Sequence, residues 1–302
     1  MASRDRRNAI TLTVLASLLW GTSFPGTKWG LGHVGNDVLF LWLRFLLASG
    51  ITLVVVMSLR KMRFSVFKEP TIWLIGGLNC IGFVMQYVGL TITNASKTAL
   101  LVDINVVAVA IISYFAFRER LGRWQVGGVV FGSLGVVLLT LNKDLAFDMS
   151  QLPGDIIVYL AGWSWAFFII FSKKMLDRRP GIEVSSAAIV TCTVWLIVPM
   201  SYLMLVGADL SVEPLGWAGA AYLALFCTTA ATLLWAMGLE GVSATASATI
   251  MLVEVVTALA ISILLLKETM SAVAGIGGLL VLVSIALVAG TGGGEKPAVK
   301  AA

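Results

Sequence analysis

The sequence predicts an all-α membrane protein of ten transmembrane helices, arranged as two inverted five-helix repeats. Three observations lead there. Of 302 residues, 59% are hydrophobic and only 12% charged, against about 25% charged in an ordinary soluble domain. So few charges cannot clothe a water-soluble surface, and lipid must take the place of the missing polar exterior. The lysines and arginines cluster between apolar segments, with a strong bias to one side. The second half of the chain also echoes the first.

A bilayer core is crossed by roughly 17–25 apolar residues. Windows that meet or approach this length run near Ile10–Trp29, Val38–Leu59, Ile72–Ile92, Ala99–Phe117 and Val126–Leu141. A second set runs near Ile156–Phe171, Ala187–Val206, Gly216–Leu239, Ala244–Leu266 and Val273–Ala289. Several are short, which implies a thin bundle with variably tilted helices. Arg4-Asp5-Arg6-Arg7 before an apolar run has the charge of a signal peptide. The run continues through Trp20-Gly21-Thr22-Ser23-Phe24-Pro25 without a small-x-small cleavage site, so a retained first helix is expected.

The positive charges orient these windows. With a cytoplasmic N-terminus, sixteen lysines and arginines fall on the inner side, and Lys28, Lys97, Lys143 and Lys267 on the outer, with Arg44 inside a span. Nine or eleven spans would scramble that bias, so ten spans with both termini cytoplasmic is the expectation. The net charge of +5 is therefore a topology signal, and no nucleic-acid partner is expected.

Shifting the second half by 145–149 residues brings Trp20 and Lys28 onto Trp165 and Lys173, and Gly89-Leu90 onto Gly238-Leu239. Arg118-Glu119 falls on Lys267-Glu268, and Gly127-Gly128 on Gly277-Gly278 with a one-residue slip. The common order argues for a duplication: a first repeat over 1–145, a second over 153–290, and a disordered cytoplasmic tail over 291–302. The boundary is the polar stretch from Asn142 to Asp155. Five spans is an odd number, so the halves enter the membrane in opposite directions. Such inversion suits a carrier, because exchanging the two halves' conformations alternates access to a central site.

The segment Trp20-Gly21-Thr22-Ser23-Phe24 through Lys28 resembles the opening motif of the drug/metabolite transporter superfamily, in its ten-span EamA-type branch. Arg44-Phe45 with Ala48, Tyr87-Val88-Gly89-Leu90 with Asn94 to Ala99, and Arg118-Glu119-Arg120-Leu121 continue the likeness. So do Asp155 with Trp163-Ser164-Trp165-Ala166, and Lys267-Glu268. Two positions depart from it. Where the family often has proline in its fourth and ninth helices, this chain has Asn105-Val106 and Glu254-Val255. The resemblance implies a basket-like bundle around a central cavity and substrates ranging from amino acids to drugs, with YddG-like amino acid exporters as its nearest kind.

Ionisable groups inside spans are costly and seldom face lipid. Three stand out: Glu254 in the ninth span, Asp103 in the fourth and Arg44 in the second. Similar depth suggests that Arg44 pairs with Asp103, either as a structural ion pair or as ligands for a zwitterion's opposite groups. Glu254 reads as a cation site, a coupled proton site, or a neutral, hydrogen-bonded packing residue; Asn105 is its repeat equivalent. Aromatic walls are expected from Trp20, Phe24, Tyr87, Tyr159, Trp163, Trp165 and Trp235, with Asn79 and Gln86 as uncharged polar groups. Trp20 is expected to face Trp165. Pro25 reads as a hinge or a static kink. Gly128 and Gly132 form a small-xxx-small packing stripe.

Cys80, Cys192 and Cys227 lie in apolar windows without metal-ligand spacing, and His33 is the single histidine. No metal, cofactor or catalytic grouping is therefore expected, and an enzyme is disfavoured. The expectation is a secondary transporter or facilitator exporting small amphipathic metabolites, aromatic or other apolar amino acids foremost, across a bacterial inner membrane. Lipophilic-cation export is the alternative and a non-transport scaffold a weaker one. Its partners are the bilayer and a small-molecule substrate, in a monomer or weak homodimer.

Overall fold

The computed structural model describes residues 2–103, 105, 107–108, 111–112, 122–141, 148–176, 178–239 and 244–291. The expected tail, Val106 and the Arg118-Glu119-Arg120-Leu121 motif lie outside them.

Helix α1 (Ala2–Leu31) runs unbroken through Pro25. Helix α2 (Asp37–Ser58) starts at Asn36, whose side chain accepts from the amides of Val38 and Leu39. A 3-10 turn (Phe64–Lys68) leads to α3 (Pro70–Ile92), which places its proline where no amide partner is needed. Helix α4 (Ala95–Val102) is capped twice. Asn94 accepts from the Lys97 amide, and the Glu268 carboxylate accepts from the amides of Ala95 and Ser96 at 2.8 and 3.0 Å. Helical backbone recurs at residues 105, 107–108 and 111–112, and α5 spans Arg123–Thr140.

Helix α6 (Leu152–Leu176) begins three residues before Asp155, so the polar boundary is shorter than expected. Asp155 sits buried in its first turn, where a carboxylate complements the helix dipole. Next come α7 (Gly181–Trp195) and α8 (Ile197–Leu205), consecutive pieces separated by Leu196. Helix α9 (Pro214–Tyr222) passes through a π-helical turn (Leu223–Ala230) into α10 (Ala231–Leu239). Helices α11 (Ala244–Leu265) and α12 (Ala272–Thr291) close the described chain.

Six helical stretches are long and apolar enough to cross a membrane: Arg7–Leu31, Asp37–Ser58, Pro70–Ile92, Leu152–Ser172, Gly181–Leu205 and Pro214–Gly238. Shorter apolar helices run over Val126–Leu139, Val253–Leu265 and Ala272–Ser284. Large apolar side chains such as Val54, Leu205 and Leu264 point outward, as a lipid-facing surface requires. The chain is a multi-pass membrane protein.

The halves interleave, and their contacts come in reciprocal sets. Helix α1 packs on α10 and α11 of the second half, while α6 packs on α3 and α4 of the first. Gly89 on α3 lies so close to α6 that a Cβ there would sit 3.0 Å from Gly154 O and collide with Val158. Gly238, its repeat equivalent, stands likewise 3.0 Å from Ala9 O and against Thr13 of α1. The α5–α12 crossing is reciprocal too: a Cβ on Gly135 would sit 2.8 Å from Gly277 O, and one on Gly277 would sit 2.8 Å from Gly135 O. Where α2 crosses α7, Ser49 donates to Ile189 O and Thr193 to Phe45 O, with the two hydroxyls 2.6 Å apart. Gly128 and Gly132 are buried in α5, and Gly128 O accepts from Ser284 of α12. Small residues thus let backbones close on one another without a hydrophobic driving force.

Candidate functional site

The centre of the bundle is organised by Arg44. It is 1% exposed. Its Nε donates to Thr228 Oγ1 at 2.8 Å, and one terminal nitrogen donates to Ser23 Oγ at 3.2 Å and Tyr87 Oη at 3.1 Å. The guanidinium also lies over the rings of Phe83 and Phe45, at 5.1 and 5.8 Å from their centroids. Four segments therefore converge on one cation: α1, α2, α3 and the π-helical turn. That turn presents Thr228, which donates to Leu223 O and so has its lone pairs free for Arg44. Turns of this kind often mark functional positions.

The expected Arg44–Asp103 pair does not form. Arg44 has hydroxyl and aromatic partners, and no carboxylate pairs with it among the described residues. Asp103 acts electrostatically on Glu254 on α11, which is 8% exposed. Val102 and Val255, beside the two carboxyls, share one buried cluster with Phe24 and Ala258. Arg44 and Glu254 both act electrostatically on Cys227. Cys227 is therefore more than apolar filler: its sulfur lies 3.4 Å from Thr22 Oγ1, which also bonds Tyr222 Oη at 2.7 Å. Arg44 and Glu254 thus both act on Cys227, within one small polar patch. Asn105, half-buried, lies along the chain just beyond Asp103.

The aromatic residues divide into separate groups. Trp20 packs on Trp235 with ring centroids 6.0 Å apart. Trp165 instead meets Phe83 edge-on at 5.1 Å and donates to Asn79 Oδ1 at 3.2 Å. Each tryptophan is held by the opposite half's helices, and no ring contact joins Trp20 to Trp165 among the described residues. The reason is the interleaving: a residue of α1 faces α10, and one of α6 faces α3. Gln86 and Tyr87 are buried on α3, and Phe24 is core. Tyr159 and Trp163, 6.5 Å apart, line a small cleft with residues of α5 and the fourth span. Trp235 lines a second small cleft with Phe168, Ser172 and Ala188.

One end of the bundle is closed by a second polar set. Lys28 donates to the carbonyls of Leu90 and Thr93. Lys97 pairs with buried Asp155 at 3.2 Å, and Asp155 also accepts from Thr93 Oγ1 at 2.6 Å. At the other end Arg179 bonds Glu69 and Glu183, which raise its already high pKa. Among the described residues no cluster of three or more His, Cys, Asp or Glu is placed to hold a metal.

The sequence of each half matches the EamA-like transporter family, over residues 7–141 and 152–290. The chain belongs to that family. EamA-like proteins are transporters, not enzymes. An uncharacterized transporter of Archaeoglobus fulgidus is 25% identical over 91% of this chain and 95% of its own length. A probable amino-acid metabolite efflux pump of Salmonella typhimurium is 24% identical over 91% of this chain and 92% of its own. The uncharacterized transporter YyaM of Bacillus subtilis is 24% identical over 76% of each chain. A solved crystal structure superposes with a TM-score of 0.67 over 93% of this chain and 96% of that one, at 18% identity, and so shares the fold.

Proposed function

We propose that this EamA-like transporter is a secondary carrier exporting small amphipathic metabolites, aromatic or other apolar amino acids foremost, across a bacterial inner membrane. The observation that carries the reading is Arg44: a buried cation that pairs with no carboxylate among the described residues, and that acts on Cys227 together with Glu254. A zwitterion supplies the missing complement. Its carboxylate goes to Arg44, whose planar fork suits that shape. Its ammonium goes to the carboxyl pair, and the rings of Trp20, Phe83, Trp165 and Trp235 suit an apolar side chain.

In this reading the chain crosses the membrane ten times with both termini cytoplasmic, and the two repeats are inverted. The reciprocal crossings support inversion, since a two-fold axis in the membrane plane generates paired contacts of that kind. Alternating access follows by exchange of the two halves' arrangements around Arg44. The Salmonella relative's name adds weight to amino acids.

The test is a flux panel with the purified protein in proteoliposomes, using radiolabelled leucine, phenylalanine and tetraphenylphosphonium. Saturable counterflow of the amino acids, reduced by Arg44→Met, is the expected result. Flux of tetraphenylphosphonium alone would replace the reading with lipophilic-cation export.

A further inference from the structure

We propose that the polar set at the outer end of the bundle is the carrier's outer gate, a latch in which Glu268 and Asp155 of the second half hold the start of α4 in the first. The route to Arg44 opens on that side when α4 parts from α6 and α11. The inference rests on the carrier reading and the orientation proposed above, and names the contacts that such a carrier must break.

The segment from Thr93 to Lys97 receives both carboxylates. Glu268 accepts from the amides of Ala95 and Ser96 at 2.8 and 3.0 Å and from Ser96 Oγ at 2.7 Å. First-turn amides have no partner within their own helix, so a carboxylate from elsewhere completes them. Asp155, 1% exposed, accepts from Lys97 Nζ at 3.2 Å and from Thr93 Oγ1 at 2.6 Å. Glu268 in turn is fixed to the end of α11. Its amide donates to Ser262 O at 3.2 Å, and Lys267 before it takes φ 54°. A lysine holds that left-handed conformation only where its surroundings impose it. Whatever moves α11 against α4 therefore makes or breaks the cap.

At the α5–α12 and α3–α7 crossings the halves meet through close backbone contacts at glycines, such as Gly135 with Gly277 and Gly76 with Thr191. Parting those would open apolar voids. At the latch the groups that part are carboxylates, an ammonium, hydroxyls and amides, and water satisfies each of them in the open state. A buried Lys–Asp pair adds little stability over apolar side chains of the same volume, and a switch is a well-attested use for one. The local backbone also suits a hinge. Thr93 and Asn94 between α3 and α4 are both extended, and Lys28 of α1 holds the Leu90 and Thr93 carbonyls on the α3 side of that joint. Helix α4 has eight residues, about 12 Å, and ends at Asp103. Phe24 of α1 and Val255 of α11 share its buried cluster. Swinging its start outward thus uncovers the helices that carry Ser23 and Glu254.

The experiment treats right-side-out and inside-out membrane vesicles with a sulfonated, membrane-impermeant maleimide and measures labelling of Cys227 by peptide mass spectrometry. Cys227 lies in the central polar patch and is 1% exposed, so its labelling reports opening of either side. Glu268→Gln and Asp155→Asn should each raise labelling from the outer face at least fivefold, while Asp209→Asn, on an exposed loop, should leave it unchanged. Unchanged outer labelling in both variants overturns the gate and makes the set a static brace. An equal rise from both faces overturns it too, as a loosened bundle. A second arm joins Ser96→Cys and Glu268→Cys in one chain with a short bis-methanethiosulfonate linker. Phenylalanine counterflow should fall at least tenfold on linking and return with dithiothreitol, and the linker should leave the wild type unchanged. Counterflow that survives the link overturns the gate and leaves the carrier reading standing. Should no solute on the panel move, the carrier reading falls by itself and the labelling arm alone decides the gate.

Discussion

Substituting Arg44 separates a structural cation from a substrate-binding one, because the two roles order the variants differently. Lysine keeps the charge, but a single nitrogen cannot reach Thr228, Ser23 and Tyr87 on three different segments. Losing one or two bonds of this charge-assisted kind, at roughly 1.5–3 kcal/mol each, predicts destabilisation by about 2–4 kcal/mol for Arg44→Lys. Methionine removes the charge together with the need to solvate it, and Thr228 keeps its bond to Leu223 O. Replacing a buried charge by an apolar side chain of similar volume is commonly neutral or better, so Arg44→Met should lose less than about 1.5 kcal/mol.

Transport should follow the opposite order. Loss of the guanidinium–carboxylate fork, at about 1.5–3 kcal/mol, corresponds to roughly a 10–150-fold fall in transport efficiency. Arg44→Lys should sit near the lower end of that fall and Arg44→Met at or beyond the upper. Unfolding in mixed detergent micelles measures stability, and phenylalanine counterflow measures transport. If the two quantities fall together across both variants, or Arg44→Met transports normally, Arg44 is a packing residue and the reasoning is wrong.

Other perturbations test the scaffold. Gly76→Ala would force a methyl to within 2.6 Å of Thr191 Cβ and 2.8 Å of its carbonyl carbon, so α3 and α7 must part; a loss of about 1–3 kcal/mol is expected in the same unfolding assay. Gly50→Ala, with nothing within 4 Å, should change stability little. A double-mutant cycle of Ser49→Ala and Thr193→Val should give a coupling of about 0.6–1.7 kcal/mol, and strict additivity would deny that their 2.6 Å contact stabilises the crossing. The Ser211 amide above all, and then the Ser211 side chain, holds the Asp209 carboxyl below its usual range. A depressed folded value means that this turn's stabilisation is complete above the unfolded pKa of about 3.9 and fades as pH falls through the lower folded one. Protection of the Ser211 amide from hydrogen exchange should therefore hold at neutral pH and weaken only below about pH 4.

Much of the architecture was legible because lipid imposes a one-dimensional code. Apolar run length marks helices, and Gly89 and Gly238 or Trp20 and Trp165 mark the repeat. The paired roles of Gly89 and Gly238 against the opposite half were thus implicit in their matched positions. Register between helices was not legible. Depth alone set Arg44 beside Asp103, whereas rotation about α2 turns the guanidinium toward Ser23, Tyr87 and Thr228 instead. Ser23 and Thr228 gave no signal, since a hydroxyl inside an apolar helix commonly bonds its own backbone. The π-helical turn that presents Thr228 contains neither proline nor glycine to announce it. Trp20 and Trp165 share matched positions in sequence, but interleaving of the halves places Trp235 against the first and Phe83 against the second.

The central claim is that Arg44, which pairs with no carboxylate among the described residues, reads a solute carboxylate. Counterflow of phenylalanine, compared in wild-type proteoliposomes with that of phenethylamine, the same molecule without its carboxylate, tests it most directly. The account predicts rapid phenylalanine exchange and phenethylamine exchange at least tenfold slower, a difference that Arg44→Met erases. Equal exchange of the two by the wild type would contradict it.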